Sequence, residues 1–308
     1  MTGFVWDESL LEARRLKISP VKPAFPRLAL FLICTSALAG EPAGLAPARA
    51  LFDAGRFPEA QAAFEKLEAA DPGNADIHYY LGQLAIERDD ADAAVRELER
   101  SAALSPGSAR SHNALGDAYG RSAQKAGMFS MFGLARKCLA EYSRAVALEP
   151  GNVDFHESLF GYCVSAPSIV GGDSGRAAEE AAIIRKLDPG RGHRAFATLY
   201  AAGGKYDLAL AELDGALKTE PDDYASLYQV GRIAAISGQH FERGLASLRQ
   251  CITLAAPEGA PPHSAAQWRI GNILEKEGDT AGARAAYEAA LKLDPKFTQA
   301  SDALKKLK

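Results

Sequence analysis

Four histidines recur along the chain, His78, His112, His156 and His193, at intervals of 34, 44 and 37 residues. Imidazole ligates metals and carries protons near neutral pH, so a spaced row of it is the first feature to test for chemistry. Each lies near the start of a separate helix. If those helices stack as hairpins, matching residues are two packing distances of about 8–10 Å each apart. Zinc needs its nitrogens about 2 Å away, so one ion cannot be shared along the row. The histidines are therefore expected to be half-buried packing residues. Gly171-Gly172-Asp173-Ser174-Gly175 invites comparison with a phosphate-binding loop, but no strand precedes it and Arg176 stands where a lysine is needed. It is expected to be a turn into a helix. The four cysteines form no CxxC pair and no cluster with histidine, so no zinc signature is present. Serines, aspartates and glutamates have capping or surface explanations, such as Asp76 and Asp279 ahead of helices. The sequence thus assigns no catalytic residue, no metal ligand and no cofactor.

Composition narrows the class. A net charge of −4 argues against a nucleic-acid partner, which selects a basic excess. Hydrophobic residues at 47% and charged residues at 24% are ordinary for a soluble chain.

The elements that position these residues are clearest in 264–297, SAAQWRIGNILEKEGDTAGARAAYEAALKLDPKF. Trp268, Gly271 and Leu274 fall on one face of a first helix, and Ala283, Tyr287 and Ala290 on one face of a second. Small Gly271 and Ala283 let the backbones approach, with Tyr287 filling the space beside them. Asp294-Pro295 stops the second helix. This segment resembles a tetratricopeptide repeat, a helix–turn–helix unit of 34 residues, through Gly271, Ala283, Tyr287 and Pro295. Worn or clean copies follow the same pattern back to residue 41, near 41–74, 75–108, 109–152, 153–189, 190–223, 224–258 and 264–297. Residues 298–308 form a polar cap of the kind repeat arrays need.

The resemblance implies an all-α, right-handed superhelical solenoid of about seven hairpins plus a capping helix. It also implies a concave groove, lined by the first helices, that holds a peptide or an extended protein segment. On the groove-facing side of those helices lie Tyr79, Gln83, Asn113, Asp117 and Glu157 early in the chain. Arg194, Arg232, Arg269 and Asn272 lie late, an asymmetry that suggests an acidic segment or free carboxylate there. The implied function is a non-catalytic protein-interaction scaffold. An assembly or maturation factor for an envelope enzyme complex is the second reading, and an enzyme the third.

Residues 1–39 do not follow the repeat. Leu28–Ala39 is an apolar run of 12 preceded by Lys22 and Arg27, too short to span a bilayer and ending in Ala37-Leu38-Ala39 before Gly40. This fits a signal peptide cleaved before Gly40, placing residues 40–308 in the periplasm or outside the cell, with no membrane insertion afterwards. Anchoring through Leu28–Ala39 is the alternative.

Two interruptions break the period. Extra residues in the third repeat include Met128, Phe129, Met131 and Phe132, and those in the fourth include Ile169 and Val170. Insertions at matching places emerge on one edge, giving either packed, lengthened helices or an exposed apolar patch for a partner. The register also lets Cys138 in the third repeat face Cys163 in the fourth, either as a disulfide or as two small buried residues.

Overall fold

Each repeat-length stretch between its breakers becomes a helical hairpin in the computed structural model, which describes residues 44–257 and 259–307. These residues fall into two compact units that divide between Leu148 and Glu149. The first holds α1 (Leu45–Asp53), α2 (Phe57–Ala70), α3 (Ala75–Glu87), α4 (Ala91–Leu104), α5 (Ala109–Lys125) and α6 (Met128–Leu148). The second begins with α7 (Val153–Ser165), α8 (Ser174–Leu187), α9 (Pro189–Ala202), α10 (Tyr206–Thr219) and α11 (Tyr224–Ser237). It ends with α12 (Phe241–Thr253), α13 (His263–Glu277), α14 (Thr280–Leu293) and α15 (Thr298–Lys306). Paired in order, the helices make seven hairpins and a closing helix, an all-α repeat solenoid without strands among the described residues.

Local chemistry sets the helix starts. Asn74, Asp90 and Ser108 accept backbone N–H groups at the heads of α3, α4 and α5. Asn152, Asp173, Asp188, Asp223 and Asp279 do so in the second unit. Asp173 thereby turns the glycine-rich stretch into the head of α8, accepting from the N–H groups of Gly175 and Arg176. Asp76, expected as a cap, instead sits inside the first turn of α3, because Asn74 already fills that role.

Within a hairpin, a small residue on the first helix meets a large one on the second. A Cβ added at Gly82 would lie 2.5 Å from Leu98, and one at Gly116 would lie 2.6 Å from Tyr142. In the second unit the matching pairs are Gly231 with Leu248 at 2.2 Å and Gly271 with Tyr287 at 2.3 Å. The large partners Leu98, Leu248 and Tyr287 are wholly buried, so these contacts form the core of each hairpin. Between hairpins, α3 packs on α1 and α5 on α3, and likewise α9 on α7, α11 on α9 and α13 on α11. Successive first helices therefore form a continuous row within each unit. Phe297 and Ala300 close the end of the second unit, the former edge-on to Trp268 with ring centres 6.1 Å apart.

The interruptions take different forms. In the third hairpin the extra residues lengthen both helices, to 17 residues in α5 and 21 in α6. In the fourth they form a single 3-10 turn, Ser168–Val170. Val170 is buried rather than exposed at an edge, and its carbonyl accepts from the Tyr162 hydroxyl at 2.7 Å. Gly172 follows where any Cβ would stand 1.7 Å from the Ala166 carbonyl oxygen, so only glycine fits. Cys138, Cys163 and Cys251 are all buried and none is in a disulfide, so the bond considered for the first two is not formed. Among the described residues no helix is long and apolar enough to cross a membrane. The apolar run Leu28–Ala39 and the cleavage site read after it lie outside the described residues.

Candidate functional site

The side chains expected in a groove can now be placed, unit by unit, on the inner faces of the first helices. In the first unit Tyr79 is buried and the Arg110 guanidinium covers its ring, 4.7 Å from the centre. Burial pushes the Tyr79 hydroxyl up to about 12, although the Arg110 charge works the other way. Arg110 in turn grips Asp76 on the preceding first helix. Asp117 accepts the Tyr142 hydroxyl at 2.5 Å, and Gln83 is half-buried one repeat earlier. Asn113 is different. Its Oδ1 is buried and has no hydrogen-bond partner. A buried acceptor left unmade costs about 1–3 kcal/mol, so a donor, whether water or ligand, is expected to meet it.

In the second unit the charged residues turn inward. Arg191 on α9 holds Glu157 on α7 at 2.8 and 2.5 Å, and Asp154 at 2.5 Å. Burial opposes the Arg191 charge, but these two carboxylates more than offset it and hold the guanidinium firmly protonated. Arg194 pairs with Asp223 at 2.8 Å, and the same aspartate caps α11. Arg232 and Arg269 are only 7% and 6% exposed. Arg269 lies 4.5 Å over the Trp268 ring and its Nε finds no partner. An exposed cationic strip for an acidic segment, as the spacing suggested, is therefore not what the fold presents. Asn272 accepts the Tyr287 hydroxyl at 2.9 Å. Gln229, which the sequence did not single out, donates through Nε2 to the Arg194 carbonyl at 3.2 Å while its Oε1 stays buried and unmatched.

The apolar residues of the third hairpin divide. Phe129 is 97% exposed and Met128 70%, whereas Met131 and Phe132 are half-buried on α6. Ile169 is exposed in the second unit.

The histidines of the row share a recurring set of hydrogen bonds. His78 Nε2 donates to the Pro72 carbonyl at 3.0 Å while Nδ1 faces Glu97 at 2.8 Å. His112 repeats this with Pro106 at 3.1 Å and Glu141 at 2.6 Å, and His156 with Pro150 at 3.0 Å and Glu180 at 2.6 Å. His193 keeps only the carboxylate half, Glu212 at 2.7 Å. Each full clasp joins the loop before a hairpin to both of its helices. The glutamates were not foreseen, because they follow their histidines by 19 to 29 residues across turns of unequal length.

Comparison with known proteins agrees with this architecture. Tetratricopeptide-repeat models match residues 45–109 and 194–240, and a second such model matches 264–297. The described fold is similar to a tetratricopeptide-repeat protein from Parabacteroides merdae at TM-score 0.64 and 13% identity, over 85% of this chain and 96% of that one. A thermophilic repeat protein of Thermus thermophilus matches at TM-score 0.50 and 21% identity, over 63% and 96%. Yeast Tom70 matches at TM-score 0.61 and 15% identity over 82% of this chain, which spans about half of that protein, 51%. No match was found among the curated proteins. The helical-hairpin array and its small-on-large packing define a repeat scaffold. The chain carries tetratricopeptide repeats over the matched residues, and its described fold is that of a tetratricopeptide-repeat solenoid.

Proposed function

We propose that the chain is a non-catalytic protein-interaction scaffold that binds an extended protein segment along the inner faces of its first helices. The observation that carries this reading is Asn113. Its amide oxygen is buried without a donor from the protein, and an extended segment offers a backbone N–H at every residue but proline. Arg110, one turn before it on α5, is paired with Asp76, so the ligand there is read by hydrogen bonds and shape more than by net charge.

The test is a photo-crosslinking residue at Gln83 in the full chain, compared with one at the exposed Arg144 on a second helix. A discrete adduct at Gln83, absent at Arg144, supports the groove. Asn113→Ala removes no hydrogen bond from the fold, so the melting temperature should hold while adduct yield falls about five- to tenfold, one hydrogen bond's worth. Equal adducts at both positions would sink the reading. The apolar run before Gly40 supports a periplasmic or secreted scaffold of the cell envelope. Mass spectrometry of the native protein finding Leu28–Ala39 retained would remove that part alone. An envelope enzyme complex as the captured partner would favour the assembly-factor role over a general scaffold.

A further inference from the structure

The first histidine clasp differs from the others in a way that gives it chemistry of its own. His78 is fully buried, and its Nε2 is committed as a donor because a carbonyl oxygen such as that of Pro72 can only accept. In the neutral ring this leaves the Nδ1 lone pair aimed at carboxylates. One is Glu97 Oε2 at 2.8 Å; the second is Glu68 Oε1 at 3.9 Å, reaching in from α2. A proton on Nδ1 matches one carboxylate and leaves the other in excess. Ten residues ahead of His112 and of His156, the offset at which Glu68 precedes His78, stand Ala102 and Val146. The second acid belongs to this clasp and not to those two.

Access is already provided. Glu68 and Glu97 keep 33% and 26% of their side-chain surface exposed. Both line a polar cleft shared with Glu65, Asp90, Arg88 and Arg96, where four acids face two arginines. An ion can therefore reach the carboxylates from solvent while the imidazole meets it from within.

We propose that Glu68, His78 and Glu97 form a site for one divalent transition-metal ion of the zinc type. His78 ligates through Nδ1, each glutamate through one oxygen, and water completes the set from the cleft. The three ligand atoms lie within 4.8 Å of one another. Zinc bonds of about 2.0–2.2 Å in tetrahedral array separate ligand atoms by about 3.3 Å, a value between the two distances seen here. Rotation of the two glutamate side chains would bring the three ligand atoms to that spacing. The Pro72 carbonyl supplies the outer hydrogen bond that fixes the ring and raises its basicity. Three protein ligands and an open position are the pattern of a zinc site that is not sealed. The ion would tie α2 of the first hairpin to α3 and α4 of the second. It would take the place of any proton on Nδ1, so binding releases that proton.

The experiment is calorimetric titration of the full-length, tag-free chain with zinc chloride, in two buffers of different ionisation enthalpy. One saturable site is expected, with proton release and a rise in melting temperature. Glu68→Gln preserves volume and a partly exposed surface, and should weaken the site by at least about tenfold. Glu141→Gln, which cuts the third hairpin's clasp, should leave zinc affinity unchanged. Circular dichroism of both variants checks that the fold is kept. No saturable binding by about 1 mM zinc, an affinity beyond any useful site, would overturn the proposal. So would undiminished affinity in Glu68→Gln, which would place the ion elsewhere.

Discussion

Gly271 shows how much one hydrogen atom can decide. Its missing side chain leaves the room that Tyr287 fills, and a Cβ there would sit 2.3 Å from the ring. Gly271→Ala should destabilise the chain by about 1–3 kcal/mol through overpacking, although alanine is the better helix former. Urea unfolding measures it, and an unchanged midpoint would show that the ring moves aside freely. Glu212 makes the corresponding point for charge. Burial disfavours its ionised form, but hydrogen bonds from Arg185 and His193, with their charges, prevail and hold its carboxyl below the ordinary value. A depressed carboxyl contributes stability that is complete above its unfolded value and is lost as pH falls through the folded one. Glu212→Gln should therefore destabilise clearly at pH 7 and progressively less on titration below about pH 4.3, the unperturbed glutamate value. A destabilisation independent of pH would count against the pairing. At this scale the sequence was half legible. The periodic histidines and glycines stood out, but their glutamate partners and the Asp223 that takes up Arg194 lie beyond turns whose lengths vary.

Hairpins were legible as units because proline stops and small–large spacing are local signals. What the extra residues became was less so. In the third hairpin they extended helices, and in the fourth they folded into a capped turn that buries Val170, since Tyr162 needed a carbonyl for its buried hydroxyl. The cysteines belong to this scale, each seated in the body of a helix. Burial raises the Cys163 thiol to about 11 and Cys251 to about 12. Reaction with a thiol reagent at pH 8 should be slow for both in the native chain and fast in denaturant, because the thiolate is the nucleophile. Rapid native labelling of either would mean its hairpin opens locally.

Over the whole chain the fold class followed from one repeating pattern, whereas the ligand did not. A groove is lined by whatever the fold leaves unpaired, and pairing across repeats is set by geometry the spacing does not carry. Asn113 keeps a buried oxygen without a protein donor, whereas Arg232 and Arg269, chosen by the same spacing, are buried. The quasi-linear build also shapes how damage spreads. Leu98→Ala empties the core of the second hairpin and should cost about 2–5 kcal/mol in the first unit. In a chain lacking residues 1–39, Trp268 is the only tryptophan and reports the second unit. Its fluorescence midpoint in urea should shift less than the total helical signal, and equal shifts would show that the chain unfolds as one cooperative body.

The carbonyl–histidine–glutamate clasps bear on how such a chain answers to force. Three of them rivet the connecting loops at Pro72, Pro106 and Pro150 to the hairpins that follow. The loop before α11 is fastened by a neutral amide. There the half-buried Gln250 amide on α12 donates to the Pro221 carbonyl at 3.2 Å and to Asp222 at 2.7 Å, in place of a histidine and its carboxylate. Water competes for exposed amide bonds more readily than for sheltered, charge-assisted ones. Under load that loop should open before the clasped ones, while the Arg194–Asp223 ion pair still ties α9 to α11.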